Sequence, residues 1–152
     1  MKKLIFISIL LFIPLITIAQ ITLKFKNKEW QEIKTPIIKF EVSGEKRYFM
    51  VDSGSDISIL NTDEAKLLHE DYKMGNVKCD ISTVNGSMEQ YSMFYYLKIL
   101  NVKQRFYTRD LSYINNIYDD ENIKLFGILG GDWLQNRKAV IDYNKRIIIL
   151  NN

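Results

Sequence analysis

One short segment of the sequence brings a carboxylate into a tight turn between two apolar strands. The segment is Asp52-Ser53-Gly54-Ser55-Asp56, which follows Phe49-Met50-Val51 and precedes Ile57-Ser58-Ile59-Leu60. The apolar flanks predict a buried position, where an ionised carboxylate is costly. Carboxylates at such positions can serve general acid–base chemistry. An ordinary Asp-Ser-Gly turn, in which Gly54 supplies backbone freedom, explains this segment alone equally well.

A second segment joins apolar strand residues to two glycines and a short helix. It reads Phe126-Gly127-Ile128-Leu129-Gly130-Gly131-Asp132-Trp133-Leu134. Asp132 is expected to cap a helix that runs through Asn136. Alone, the segment indicates a strand–helix junction, since two glycines without a lysine at the right spacing are weak evidence for a phosphate loop.

The elements that must position these residues are mostly strands. Alternating apolar and polar residues predict strands at 21–26, 37–42, 47–51, 57–60, 77–84, 91–100, 102–107, 126–129, 139–141 and 147–150. Asn61 and Glu64 predict a capping box at the start of a helix that continues to about residue 70. Residues 108–124 are polar and predict a long loop with one short element. We therefore predict an all-β domain with minor helix.

Composition excludes several classes of protein. The 152 residues suffice for one domain, and 47% of them are hydrophobic. One Cys and one His exclude a disulfide framework and a Cys/His metal cluster, so neither a metal nor a cofactor is expected. The net charge of +3, without a basic cluster, predicts no nucleic-acid partner.

Residues 1–19 have the pattern of a secretory signal peptide. Lys2 and Lys3 precede an apolar run over 4–18, and Thr17-Ile18-Ala19 offers small residues for cleavage after Ala19. We expect a single exported domain over 20–152, periplasmic or extracellular, with no stable membrane span after cleavage. Loss of the two lysines would lower the net charge from +3 to about +1. The alternative is an uncleaved membrane anchor.

Taken together and in this order, the two segments resemble the signatures of the retroviral-type aspartic proteases, the retropepsins. Asp52 to Asp56 resembles their Asp-Thr/Ser-Gly-Ala/Ser-Asp motif, and Ile128-Leu129-Gly130 resembles their apolar-apolar-Gly motif. Asn85-Gly86, a strong hairpin signal, stands where that family places its flap. The resemblance covers roughly residues 33–150 and implies a closed, barrel-like β fold with a hairpin flap.

The activity implied by the resemblance is hydrolysis of peptide bonds by a water held between two carboxylates. The two carboxylates share one proton because like charges so close cannot both ionise easily. This chain contains one Asp-Ser-Gly triplet. The resemblance therefore implies a homodimer in which each copy supplies Asp52, with a peptide or protein as substrate.

Each residue of the motifs carries an implied role. Asp52 is the catalytic carboxylate, and Ser53, Gly54 and Ser55 support the loop; the Ser55 hydroxyl is expected to donate to Asp52. The residues implied to bind substrate are Gly54, Asp56, Asn85, Gly86 and Ile128.

The sequence also departs from the family. Gly131 stands where the retroviral proteins carry an arginine that pairs across the dimer, and the stretch between the motifs is longer because it includes 108–124. Two alternatives follow. One is a non-catalytic peptide- or protein-binding module on the same fold in the cell envelope. The other is a structural envelope protein held by an uncleaved N-terminus.

Overall fold

The computed structural model describes the backbone of residues 20–30, 33–68, 73–83, 86–117 and 123–151, and the side chains of 20–26, 35–68, 93–116 and 123–151. The predicted signal peptide lies outside these ranges. The strands are β1 (Gln20–Lys24), β2 (Lys26–Trp30), β3 (Ile33–Val42), β4 (Glu45–Val51), β5 (Ile59–Asn61), β6 (Lys73–Thr83), β7 (Gly86–Ile99), β8 (Val102–Arg109), β9 (Leu125–Leu129), β10 (Val140–Asp142) and β11 (Ile147–Asn151). The helices are α1 (Thr62–Ala65), α2 (Ser112–Ile117) and α3 (Gly131–Asn136).

Eight of the strands form one sheet that carries both motifs. Its order is β2-β3-β4-β9-β5-β8-β7-β6, in which β4–β9 and β5–β8 are parallel and the other pairs antiparallel. The sequence-distant strand β9 thus inserts between β4 and β5 and brings the end of the second motif beside the Asp52 turn. The predicted mostly-β class is confirmed.

The remaining strands form a three-stranded sheet of order β1-β11-β10. We expected one strand over 21–26, but the chain divides at Phe25 into β1 and β2, which belong to different sheets. Phe25 is buried, and its N–H donates to the Arg146 carbonyl at 3.1 Å instead of to a strand partner. Buried and exposed side chains still alternate through Phe25, so the sequence pattern does not show the division between the two strands.

The main core lies on one face of the large sheet and also includes residues of the small sheet and α3. Its centre is aromatic: the Phe49 ring lies 5.4 Å from that of Phe126 and 6.1 Å from that of Phe106, centroid to centroid. Trp133 of α3 and Ile148 of β11 complete it. Their burial holds α3, and with it the chain that follows Gly130, against the sheet.

The capping box predicted at Asn61 and Glu64 is wrong. The Asn61 side chain makes no capping hydrogen bond to α1; it is buried, and its Oδ1 accepts from the Leu111 N–H at 3.5 Å. Glu64 instead forms ion pairs with Arg47 at 2.9 Å and Lys124 at 2.6 Å. Tertiary partners thus take both side chains away from the helix terminus. None of the helices within the described ranges is long and apolar enough to cross a membrane.

Candidate active site

The Asp52 turn, here called the carboxylate loop (residues 52–58), begins where β4 ends. The Asp52 N–H donates to the Leu129 carbonyl at 3.0 Å, which extends the β4–β9 ladder by one bond. The Gly54 N–H donates to Oδ1 of Asp52 at 2.9 Å, and the Ser55 N–H donates to the Asp52 carbonyl at 3.3 Å. These bonds fix a half-buried carboxylate at the base of a turn whose Ser53 and Gly54 are exposed.

The second motif packs directly against the backbone of the carboxylate loop. A Cβ on Gly130 would lie 2.4 Å from the Ile57 carbonyl oxygen and 2.8 Å from that of Ser55, closer than a side chain can approach. Immediately after it, the Gly131 N–H donates to the Ser55 carbonyl at 2.6 Å, and the Asp132 N–H donates to that of Asp56 at 3.1 Å. The glycine of the apolar-apolar-Gly motif is therefore required by backbone contact with the loop.

A buried polar network ties the same two segments together. The Ser58 hydroxyl donates to Oδ1 of Asp132 at 2.6 Å and accepts from the Gly130 N–H at 3.1 Å. Gln104 of β8 donates through Nε2 to the other Asp132 oxygen at 2.7 Å. Ser58 is fully buried and Gln104 nearly so. Because each buried polar atom in these bonds has a partner, the network specifies one arrangement of loop, strand and helix.

Sequence reasoning missed this network. The predicted N-cap role of Asp132 is wrong, since the N-cap is Gly130 and the Asp132 side chain lies in the first turn of α3. The carboxylate also accepts from the Trp133 N–H at 2.7 Å. The available signal was Ser58 within the apolar run 57–60, Gln104 in alternation with the core residue Phe106, and an acid after the glycine pair.

The predicted loop residues lie together, although one contact differs. The Ser55 hydroxyl donates to the Ile57 carbonyl at 2.8 Å and not to Asp52, so it supports the loop and leaves the carboxylate alone. The Asp56 side chain is exposed. Among the described residues, the Oδ2 atom of Asp52 receives no hydrogen bond from the chain.

Ile128 lies in a second apolar cluster beside the carboxylate loop. The cluster comprises Ile37, Met50, Leu111, Ile123, Leu125 and Ile128. Met50 stands two residues before Asp52, so strand alternation places both on this face of the sheet. Leu111 and Ile123 come from the segment that contains α2, here called the covering segment (110–117 and 123–124). Packed in this cluster, Ile128 is only 5% exposed.

The predicted flap coincides with the hairpin of β6 and β7. Gly86 begins β7 and pairs with Thr83 at the end of β6. Asn85 lies outside the described residues, so a contact between the hairpin tip and substrate stays a prediction. In the part of the chain that the structure describes, no group of three or more His, Cys, Asp or Glu residues is placed to hold a metal ion.

Known structures similar to this chain include two named as proteases and one named as a protease-like domain. No protein-family model matches the sequence, and no curated protein does. The retroviral protease-like domain of Ddi1 from Leishmania major is 15% identical, with a TM-score of 0.42 over 74% of this chain and 83% of that one. A retropepsin-like aspartic protease from Rickettsia conorii is 18% identical, with a TM-score of 0.47 over 88% of this chain and 90% of that one. EIAV protease, in complex with the inhibitor HBY-793, is 22% identical, with a TM-score of 0.48 over 76% of this chain and 99% of that one.

Proposed function

We propose that this protein is an aspartic endopeptidase whose active site forms from the Asp52 residues of two copies of the chain. One carboxylate takes a proton from a bound water, and the other donates a proton to the carbonyl oxygen of the scissile peptide bond. The water oxygen attacks the carbonyl carbon and gives a tetrahedral gem-diol. The first carboxylate then passes the proton it took from the water to the amide nitrogen, the second recovers a proton from a hydroxyl of the gem-diol, and the carbon–nitrogen bond breaks to give the carboxylic acid and the amine. Two carboxylates that are close enough to share one water hold one proton between them, because like charges so close together do not both ionise.

The observation that carries this proposal is the fixed position of the Asp52 carboxylate. Oδ1 is held by the Gly54 N–H, while no group of the described chain donates to Oδ2. Gly130 packs against the backbone of the loop, and the Ser58–Asp132 hydrogen bond joins the loop to α3. A carboxylate held rigidly in an otherwise exposed turn suits chemistry in which geometry supplies much of the rate.

A second copy is required because the chain contains a single Asp-Ser-Gly triplet. A two-fold axis beside the exposed Ser53 and Gly54 would bring two equivalent carboxylates together. We further propose that substrate backbone passes over Gly54 and contacts Asp56 and the Asn85-Gly86 hairpin. Ile128, which is only 5% exposed, would support the site from within the second apolar cluster. The charged and apolar pattern of residues 1–19 supports export of the domain that begins at Gln20.

The test is peptidase activity of protein that begins at Gln20. A mixed peptide library is incubated from about pH 4 to about pH 7 with the parent protein and with Asp52→Asn, and the cleavage products are read by mass spectrometry. The variant keeps the shape of the side chain and removes its proton-transfer chemistry. We expect cleavage by the parent and none by Asp52→Asn.

Asp63→Asn provides the matched control, because Asp63 is an exposed acid whose one ion pair among the described residues is with Lys66. It should cleave like the parent. An Asp52→Asn protein that cleaves as fast as the parent contradicts the proposal. A parent protein that stays monomeric and cleaves nothing favours the binding module instead.

A further inference from the structure

The face of β7 and β8 that turns away from the main core carries clustered aromatic and basic side chains. Tyr95 and Phe106 point into that core. Their neighbours alternate to the other face and form what we call the aromatic–basic patch: Phe94, Tyr96, Lys98, Lys103, Arg105 and Tyr107. The proposed peptidase function gives these residues no role.

Arg105 is held at the centre of this patch in a fixed orientation. Its Nε and Nη2 atoms donate to the Tyr96 hydroxyl at 3.2 and 2.8 Å, and Nη1 donates to the Tyr107 hydroxyl at 3.3 Å. The guanidinium carbon stands 5.2 Å from the Phe94 ring centroid. The side chain is nevertheless exposed, and its remaining N–H groups are available to an incoming carboxylate. Stacking and hydrogen bonds have already ordered the group that would bind.

The charges of the patch have no acidic partner among the residues whose side chains the structure describes. Lys98 and Lys103 stand directly opposite each other across the strand pair. Like charges in that position destabilise an antiparallel pair. Lys103 lies over the Tyr96 ring, with Nζ 4.2 Å from the centroid. Among the residues whose side chains are described, no carboxylate forms an ion pair with Lys98, Lys103 or Arg105. A bound anion would relieve this repulsion.

The patch shares a face of the sheet with the second apolar cluster. Met50 pairs with Ile128, Ile128 with Ile59, and Ile59 with Tyr107. These four side chains form one row across β4, β9, β5 and β8, because paired residues point to the same face. The row connects the strand that delivers the carboxylate to the strand that carries Arg105.

Strand direction places Arg105 level with Asp52. β4 and β8 run in opposite directions, since β4 is parallel to β9, β9 antiparallel to β5, and β5 parallel to β8. Asp52 lies two residues after Met50 and Arg105 two residues before Tyr107, so both lie on the same side of the row, beside its opposite ends. Three strand spacings separate them by roughly 14 Å, the reach of about four residues of extended peptide.

We propose that the aromatic–basic patch binds an acidic side chain of the peptide substrate, about four residues from the scissile bond. This assignment rests on the proposed peptidase function and adds a substrate class to it. The carboxylate would accept hydrogen bonds from Arg105, with Lys98 and Lys103 contributing attraction at longer range.

The first experiment measures binding without catalysis. Asp52→Asn protein is titrated into a fluorescent peptide with an apolar centre and a Glu-Glu pair about four residues from it, and into the same peptide with Gln-Gln. At low salt the Glu peptide should bind about tenfold more tightly. Added salt should reduce this preference, because the patch is exposed.

Variants then assign the preference to the patch. Arg105→Gln should abolish it, and Arg105→Lys should retain only part, because lysine keeps the charge and loses the planar fork. Lys46→Gln, which removes an exposed cation from another strand, should leave the preference unchanged. Equal binding of the two peptides, or an equal loss in Lys46→Gln and Arg105→Gln, overturns the assignment. So does competition by a single-stranded oligonucleotide at lower concentration than the Glu peptide.

Cleavage by the parent protein separates this proposal from the one on which it rests. Faster cleavage of the Glu peptide, with a lower KM that Arg105→Gln raises, supports both. Equal cleavage of the two peptides overturns the patch assignment and leaves the peptidase function in place. Preferential binding of the Glu peptide without any cleavage overturns the peptidase function and leaves a peptide-binding site.

Discussion

The carboxylate loop and the covering segment approach the same apolar cluster, but different forces hold them. The loop is fixed by backbone hydrogen bonds and by the buried Ser58–Asp132 contact. The covering segment rests on apolar contacts of Leu111 and Ile123, and the Asn115 side chain joins it to Leu125, whose N–H donates to Oδ1 at 2.7 Å.

The carboxylate loop and the covering segment therefore restrict their residue types to different degrees. Hydrogen bonds depend on direction, and the close contact at Gly130 leaves no room for a side chain. Each residue in the loop therefore has few substitutes. Apolar contacts are non-directional, so residues of similar volume can replace one another in the covering segment. We therefore expect the two regions to respond differently to conservative substitutions, and the following variants test that difference.

The largest effect is expected for Gly130→Ala. The added methyl group would lie 2.4 Å from the Ile57 carbonyl oxygen, so the carboxylate loop must move. We expect a loss of about 1–3 kcal/mol in the free energy of unfolding, and at least about a 100-fold fall in kcat/KM. Denaturant titration and peptide cleavage measure the two effects.

Gly131→Ala is the matched control for that variant. Its added methyl group would lie 3.3 Å from the Ser55 carbonyl oxygen, a contact that a shift of a few tenths of an ångström relieves. Equal effects of the two substitutions would show that Gly130 has no special place beneath the loop.

A smaller effect is expected for Asp132→Ala. Ser58 and Gln104 would lose their shared acceptor while remaining buried. Each orphaned group costs about 1–3 kcal/mol of stability. Activity should fall by about tenfold or more because the loop loses its support. Unchanged cleavage in a folded Asp132→Ala protein would separate the network from the catalytic geometry.

The covering segment should tolerate Leu111→Met. Leu111 is buried in the second apolar cluster, and the two side chains have similar volumes. The loss of stability should stay below about 1.5 kcal/mol, with kcat/KM close to that of the parent. An effect on activity as large as that of Asp132→Ala would remove the distinction between the two regions.

The smallest effect concerns Asp110, at the start of the covering segment. Oδ1 of this carboxylate accepts from the Ser112 N–H at 2.8 Å, which lowers the pKa of Asp110 below its usual value. A lowered pKa contributes stability above the unfolded-state value, and that contribution is lost as pH falls through the folded-state value. The melting temperatures of the parent and Asp110→Asn should therefore differ at neutral pH and converge in acid. A difference that grows on acidification would contradict this sign.

The same contrast explains what the sequence could predict. Asp52, Gly54 and Gly130 could be identified from the sequence as residues of the candidate site, because hydrogen bonds and close packing restrict those positions to few residue types. The hairpin of β3 and β4 was predictable from alternation and from its turn at Ser43-Gly44, where both residues have positive φ.

Other features depend on partners distant in the chain. Asn61 and Glu64 have the local signature of a capping box. Their side chains instead accept hydrogen bonds from the Leu111 N–H and the Arg47 guanidinium, respectively. Ser58 and Asp132 become partners only because β9 inserts between β4 and β5. Local pattern carries no information about such contacts, so tertiary structure decides them.

The most direct test of the central claim is a mixing experiment with parent and Asp52→Asn protein. The two are unfolded together, refolded at fixed total concentration and varied ratio, and assayed for peptide cleavage. If each active site needs Asp52 from both copies, activity follows the square of the parent fraction and falls to about one quarter at equal amounts. Activity proportional to the parent fraction, about one half at equal amounts, would contradict a shared site.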